Sequence, residues 1–96
     1  MDQETTARFF KALGDINRLR IVFFLLQGER SVGRLVEELG LSQPLVSHHL
    51  KELKMGGVVK TRRKGPFIYY SLKDPRRMLE ILEQVKRITT GGNHGS

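Results

Sequence analysis

Gly40-Leu41-Ser42-Gln43-Pro44-Leu45-Val46-Ser47-His48-His49-Leu50-Lys51 decides the fold. It joins two segments with apolar residues at helical spacing. Before it, Val32, Leu35, Val36 and Leu39 recur at i, i+3, i+4 and i+7. Within and after it, Leu45, Val46, His49, Leu50 and Leu53 form one inward stripe. Gly40 ends the first helix, and Ser42 caps the second. Pro44 falls in the first turn, where its missing N–H is harmless. A linker of two or three residues between two such helices predicts a helix-turn-helix.

Working outward, Ser31 is the expected N-cap of the first of these helices, and Gly56-Gly57 stops the second. Upstream, Thr5 to Leu13 reads as a short amphipathic helix ended by Gly14. Asp15 then caps a helix running to about Gln27. Its second half is apolar nearly all round, so a central, buried position is expected. Gly28-Glu29-Arg30 reads as a break. Downstream, Val58 to Arg63 alternates loosely as a strand does, and Lys64-Gly65-Pro66 is a turn. Phe67 to Leu72 is the returning strand. Asp74-Pro75 starts a last helix carrying Met78, Ile81, Leu82, Val85 and Ile88. The expected class is mainly α with a β-hairpin wing, a winged helix-turn-helix in the order α-α-α-α-β-β-α. Residues 1–90 are expected to form one domain, with 91–96 a disordered tail.

The 96 residues bound the core to a modest size, so burial against a second copy would add stability. There are no cysteines, which excludes disulfides and thiolate metal sites. No apolar run is long enough to span a membrane, and the acidic start lacks the layout of a signal peptide. The expectation is a cytoplasmic protein with no membrane partner. No nucleophile-base-acid set or phosphate-cradling glycine loop is evident, so an enzyme is not expected.

Net charge is +7, and it is unevenly placed. Met1 to Gly40 and Met78 to Ser96 are each net zero, and Leu41 to Gly57 is +1. Val58 to Arg77 holds Lys60, Arg62, Arg63, Lys64, Lys73, Arg76 and Arg77 against Asp74 alone, net +6. A one-sided basic patch beside a helix-turn-helix suits phosphate contact. The outward positions of the second motif helix are Ser42, Gln43, Ser47, His48, Lys51 and Lys54, types that reach base edges or phosphates. The candidate contacts to double-stranded DNA are therefore Ser42, Gln43, Pro44, Ser47, His48, Lys51 and Lys54, with Lys60, Arg62, Arg63, Lys64 and Tyr69 of the wing. His48 and His49 lie about 100° apart around a helix and cannot chelate one metal together. His49 is expected as a hydrogen-bonded core histidine.

At this point the residues carry a resemblance. Phe10 to Ile21, Leu41 to Lys51, and Gly57-Val58-Val59 with Arg62-Arg63-Lys64-Gly65 and Tyr69-Tyr70-Ser71-Leu72 together resemble the ArsR/SmtB family of winged-helix repressors. The resemblance implies a homodimer joined through the first and last helices, here Phe9, Phe10 and Leu13 with Met78, Leu82, Val85 and Ile88. It also implies repression from an inverted-repeat operator, released by an inducer that is often a metal. The sensing half departs from that pattern. Ser31-Val32-Gly33-Arg34-Leu35 stands where thiol-type sensors carry Cys-Val-Cys before Asp-Leu, and the arginine there points to another use of that surface. The last helix offers Asp74, Glu80 and Glu83 but no histidine, and His94 lies in the tail. A regulator without a metal site or cofactor is expected, with its effector, if any, unidentified. The alternatives are a metal-responsive repressor using carboxylate ligands, or a winged-helix module that binds protein or RNA. A metal-dependent change in operator affinity at fixed salt marks the first; a neutral outer face on the second motif helix would have favoured the other.

Overall fold

The computed structural model describes residues 2–91. The order is α1 (Gln3–Leu13), α2 (Ile16–Leu25), β1 (Arg30–Ser31), α3 (Val32–Leu39), α4 (Gln43–Met55), β2 (Val59–Lys64), β3 (Phe67–Leu72) and α5 (Pro75–Thr90). This is a winged helix-turn-helix, mainly α, with one strand more than expected. Arg30 and Ser31 pair antiparallel with Tyr70 and Tyr69, so the sheet has the order β1-β3-β2. The tail expected over 91–96 falls, apart from Gly91, outside the described residues, as does His94.

Each helix begins on a side-chain cap. Asp15 accepts from the N–H of Asn17 and Arg18, Ser31 from Arg34, Ser42 from Leu45 and Asp74 from Arg77. Helix α1 starts before Thr5 because Asp2 caps it, accepting from Glu4 N–H and the Thr5 hydroxyl. Gly40 closes α3 in the left-handed region at φ 68°, a conformation that glycine adopts without strain. That turn sets α4 against α3. Arg20 on α2 donates to the Leu39 carbonyl at 3.3 Å, tying the C-terminus of α3 to the centre of the fold.

The core joins Ala12 and Leu13 of α1 to Ile21, Val22 and Leu25 of α2, Leu35 and Leu39 of α3, and Val46, Leu50 and Leu53 of α4. Val58, Val59, Leu72 and Met78 close it from the sheet and α5. Two expectations need correction. Helix α2 is not buried all round, since Ile16 and Phe23 face outward. Leu45, expected on the inward stripe of α4, is 39% exposed. Val46, His49, Leu50 and Leu53 already fill the inward arc, and Leu45 lies at its edge.

Gly56 marks where α1 crosses the end of α4. A Cβ there would sit 2.5 Å from Ala12 Cβ and 3.2 Å from the Arg8 carbonyl oxygen. Both neighbours belong to helix α1 and cannot swing away as a flexible chain end would. Gly56→Ala is expected to destabilise the fold by about 1–3 kcal/mol. Thermal melting should show a Tm lower by about 4–8 °C for each kcal/mol. An unchanged Tm would show that α1 yields freely at this crossing.

Candidate nucleic-acid interface

Helix α4 turns by about 100° per residue, so its burial fixes which side chains face out. With Val46, His49, Leu50 and Leu53 inward, Pro44, Ser47, His48, Lys51 and Met55 point most directly away from the core, and all are exposed. Gln43 and Lys54 flank this face on one side, Leu45 and Glu52 on the other. Ser42 spends its hydroxyl on the Leu45 N–H at 3.4 Å, so it acts as a cap in this structure. Leu45 and Met55 are outward residues that the sequence reading missed. Because apolar residues are assigned inward by default, only the crowding of the inward arc could have flagged Leu45.

The wing is placed on α4 by three bonds. Val58 N–H donates to the Leu53 carbonyl and Gly57 N–H to that of Lys54, while Lys54 Nζ donates to Thr61 Oγ1 at 3.4 Å. In the β2–β3 register, Lys60, Arg62 and Lys64 oppose Ser71, Tyr69 and Phe67, while Thr61 and Arg63 oppose Tyr70 and Ile68. Directly opposed residues share a face. Lys60, Arg62 and Lys64 therefore stand on one face of the hairpin and Arg63 on the other.

Arg62 differs from its neighbours. Its guanidinium donates to both carboxylate oxygens of Glu29, at 2.5 and 3.3 Å. It also lies over the Tyr69 ring, 5.5 Å from the centroid. The Arg62 bond holds the exposed Glu29 carboxyl below its ordinary pKa, with burial opposing. Among the described residues, Lys51, Lys54, Lys60, Arg63 and Lys64 have no carboxylate within 4.0 Å. These free cations stand on α4 and on both faces of the wing, which the Lys54–Thr61 bond joins to α4. Arg34 pairs with Glu38 at 3.6 Å, and Glu38 also takes Arg30 at 3.3 Å. Among the described residues no three histidine or carboxylate side chains converge as a metal would need.

His49 holds α4 to the α1–α2 corner. It is buried, and Arg18 Nη1 lies 3.2 Å from its Nδ1. A guanidinium only donates, so Nδ1 accepts and the ring proton sits on Nε2. The same guanidinium donates through Nε to the Ala12 carbonyl at 2.7 Å. Burial pushes the His49 pKa below its ordinary 6.5, with the nearby Asp15 opposing and Arg18 and His48 adding to the fall. A lowered folded-state pKa means that only the unfolded chain takes up this proton just below pH 6.5. His49's contribution to stability is therefore complete above about pH 6.5 and declines as pH falls below it, by at most about 1.4 kcal/mol per pH unit. His49→Asn is expected to flatten denaturation midpoints between pH 7 and 5. A decline just as steep in that variant would assign the pH dependence to other groups.

The helices at the two ends of the chain carry the other apolar surface. Phe9 and Leu82 are half-buried, while Phe10, Val85 and Ile88 are exposed, Val85 at 45% and Ile88 at 78%. Leu13 and Met78, expected on the same stripe, are 7% and 4% exposed within one chain. They belong to the chain's own core, in one buried cluster with Leu50, Leu53, Val58 and Leu72.

The profile of the arsR family of bacterial regulatory proteins matches residues 15–61. A probable mercury resistance operon repressor from Streptomyces lividans is 51% identical over 76% of this chain, which spans 58% of that relative's length. An uncharacterised helix-turn-helix transcriptional regulator from Methanocaldococcus jannaschii is 40% identical over 88% of this chain and 96% of its own length. The transcriptional repressor SdpR of Bacillus subtilis is 44% identical over 66% of this chain and 70% of its own. Among solved structures, a homodimeric winged helix-turn-helix DNA-binding domain from Mycobacterium bovis superposes with a TM-score of 0.83 at 32% identity. It covers 95% of this chain and 86% of that domain.

Proposed function

Since this chain belongs to the ArsR family of bacterial regulatory proteins, we propose that it is a dimeric transcriptional repressor. It binds a two-fold symmetric operator in duplex DNA, with α4 in the major groove and the wing on the flanking phosphates. It is a regulator and not an enzyme. The observation that carries this reading is the exposed outer face of α4, tied through Lys54 and Thr61 to a wing whose Lys60, Arg63 and Lys64 have no carboxylate partner among the described residues. Phosphates would meet the cations, and Gln43, Ser47 and His48 would meet base edges. Two copies related by a two-fold axis would present two α4 helices to successive major grooves. The apolar stripe of Phe9, Phe10, Leu82, Val85 and Ile88 supports that pairing, as does the homodimeric relative from Mycobacterium bovis. A regulator bound to DNA would work in the cytoplasm. Among the described residues no helix is long and apolar enough to cross a membrane.

Selection of bound fragments from genomic DNA would supply the operator. On that duplex, Gln43→Ala and Ser47→Ala are each expected to lower affinity by roughly 1–3 kcal/mol, the range of a good base contact. On a random duplex the change should stay within about twofold. Equal losses on both duplexes would remove these side chains from base readout.

A further inference from the structure

The contacts assigned above leave the apolar side chains at the tip of the wing unused. Phe67 opens β3 directly after the Gly65-Pro66 turn and is 57% exposed. Its cross-strand partner is Lys64. Its aromatic neighbour is Tyr69, with ring centroids 6.5 Å apart and planes tilted by 54°, a contact that leaves most of the ring bare. Ile68, on the other face opposite Arg63, is exposed as well. Isolated exposed apolar side chains need no explanation. Here two adjacent ones crown a narrow hairpin, and the nearest side chains on both faces are the unpaired cations Lys64 and Arg63. That pattern fits a ligand with anionic rims and apolar walls.

We propose that Phe67 is a specificity-determining contact to the DNA minor groove, resting on the reading that the chain binds duplex DNA. The minor groove is about 6 Å wide, too narrow for a helix but open to a hairpin tip. Lys64 and Arg63 engage the phosphates on its two rims. The Phe67 ring, on the Lys64 face of the hairpin, packs against the deoxyribose wall on that side. A·T pairs leave the groove floor clear and narrow the groove, which tightens this contact. The amino group of guanine fills the floor and pushes the ring out. Phe67 thus discriminates A·T from G·C pairs beyond the bases that α4 reaches, without a hydrogen bond.

The test uses the selected duplex, with the base pairs flanking each α4 half-site set to all A·T or all G·C. Affinities are measured over a range of potassium chloride for the unaltered chain, Phe67→Ala, Phe67→Leu and Lys64→Gln. Unaltered melting of the Phe67 variants confirms that they fold. Phe67→Ala is expected to lose about tenfold on the A·T-flanked duplex, as removal of a partly buried ring would. It should lose little on the G·C-flanked one, with the slope of log affinity against log salt unchanged. Phe67→Leu should recover much of the loss. Hydroxyl-radical footprints should lose protection only at the flanking minor grooves. Lys64→Gln should instead flatten the salt slope by about 0.9 on both duplexes. Equal affinity of Phe67→Ala and the unaltered chain on both duplexes would overturn the proposal. So would a loss that comes with a flattened slope. If the unaltered chain binds neither duplex, DNA binding itself is refuted.

Discussion

Val85→Asp is expected to turn a dimer into a monomer and to lower affinity for a two-half-site operator by about a hundredfold or more. The reason lies in how α5 is used. Its first half docks on its own chain through Met78, with Ile81 and Leu82 half-buried behind it. Val85 and Ile88 continue the stripe beyond the point where that chain covers it. A second copy would bury them symmetrically, as two-fold assembly requires. A carboxylate placed there would be drawn out of water with no partner, a penalty of several kcal/mol. The substitution leaves each folded chain intact because residue 85 is exposed within it. Val85→Ile should stay dimeric and bind normally. Sedimentation and operator titration on the same samples test the point. A Val85→Asp protein that remains dimeric would place the interface on another surface.

The second large effect concerns the wing. Neutralising Lys60, Arg63 and Lys64 together with glutamine should flatten the salt dependence by about 2.7, at about 0.9 for each phosphate lost. Between 50 and 200 mM salt, the triple variant would then lose about 40-fold less affinity than the unaltered chain. The loss should be similar on operator and random DNA, because phosphates carry no sequence. Arg62→Gln should flatten the slope by much less than Arg63→Gln, since Glu29 already neutralises Arg62. A triple variant with an unchanged slope would take the wing out of the DNA contact. An Arg62→Gln effect as large as that of Arg63→Gln would show that phosphate displaces Glu29.

The helix-turn-helix was legible because its signals are local. Leu35 and Leu39 set the period, Gly40 the turn and Ser42 the cap, all within one short stretch. The charge of the wing was legible for the same reason. What escaped depends on distance along the chain. Strand β1 has two residues, too few for any alternation to register, and exists only because Tyr69 and Tyr70 return beside it. The Glu29–Arg62 pair spans 33 positions, so one of the wing's cations is occupied in a way that no local pattern reveals. Periodicity finds an apolar stripe but not what covers it. Leu13 and Met78 share their stripes with Phe10 and Val85, yet the chain covers the first pair itself and leaves the second bare. Phe67 escaped because a strand-forming residue at a hairpin looks ordinary until its exposure is seen.

The proposed division of labour has α4 reading bases and the wing gripping phosphates. It is tested most directly by comparing affinity for the selected duplex and for a random duplex of equal length, at the same salt. The selected duplex is expected to bind about a thousandfold tighter or more, with both affinities falling steeply as salt rises. Equal affinity for the two duplexes would contradict it.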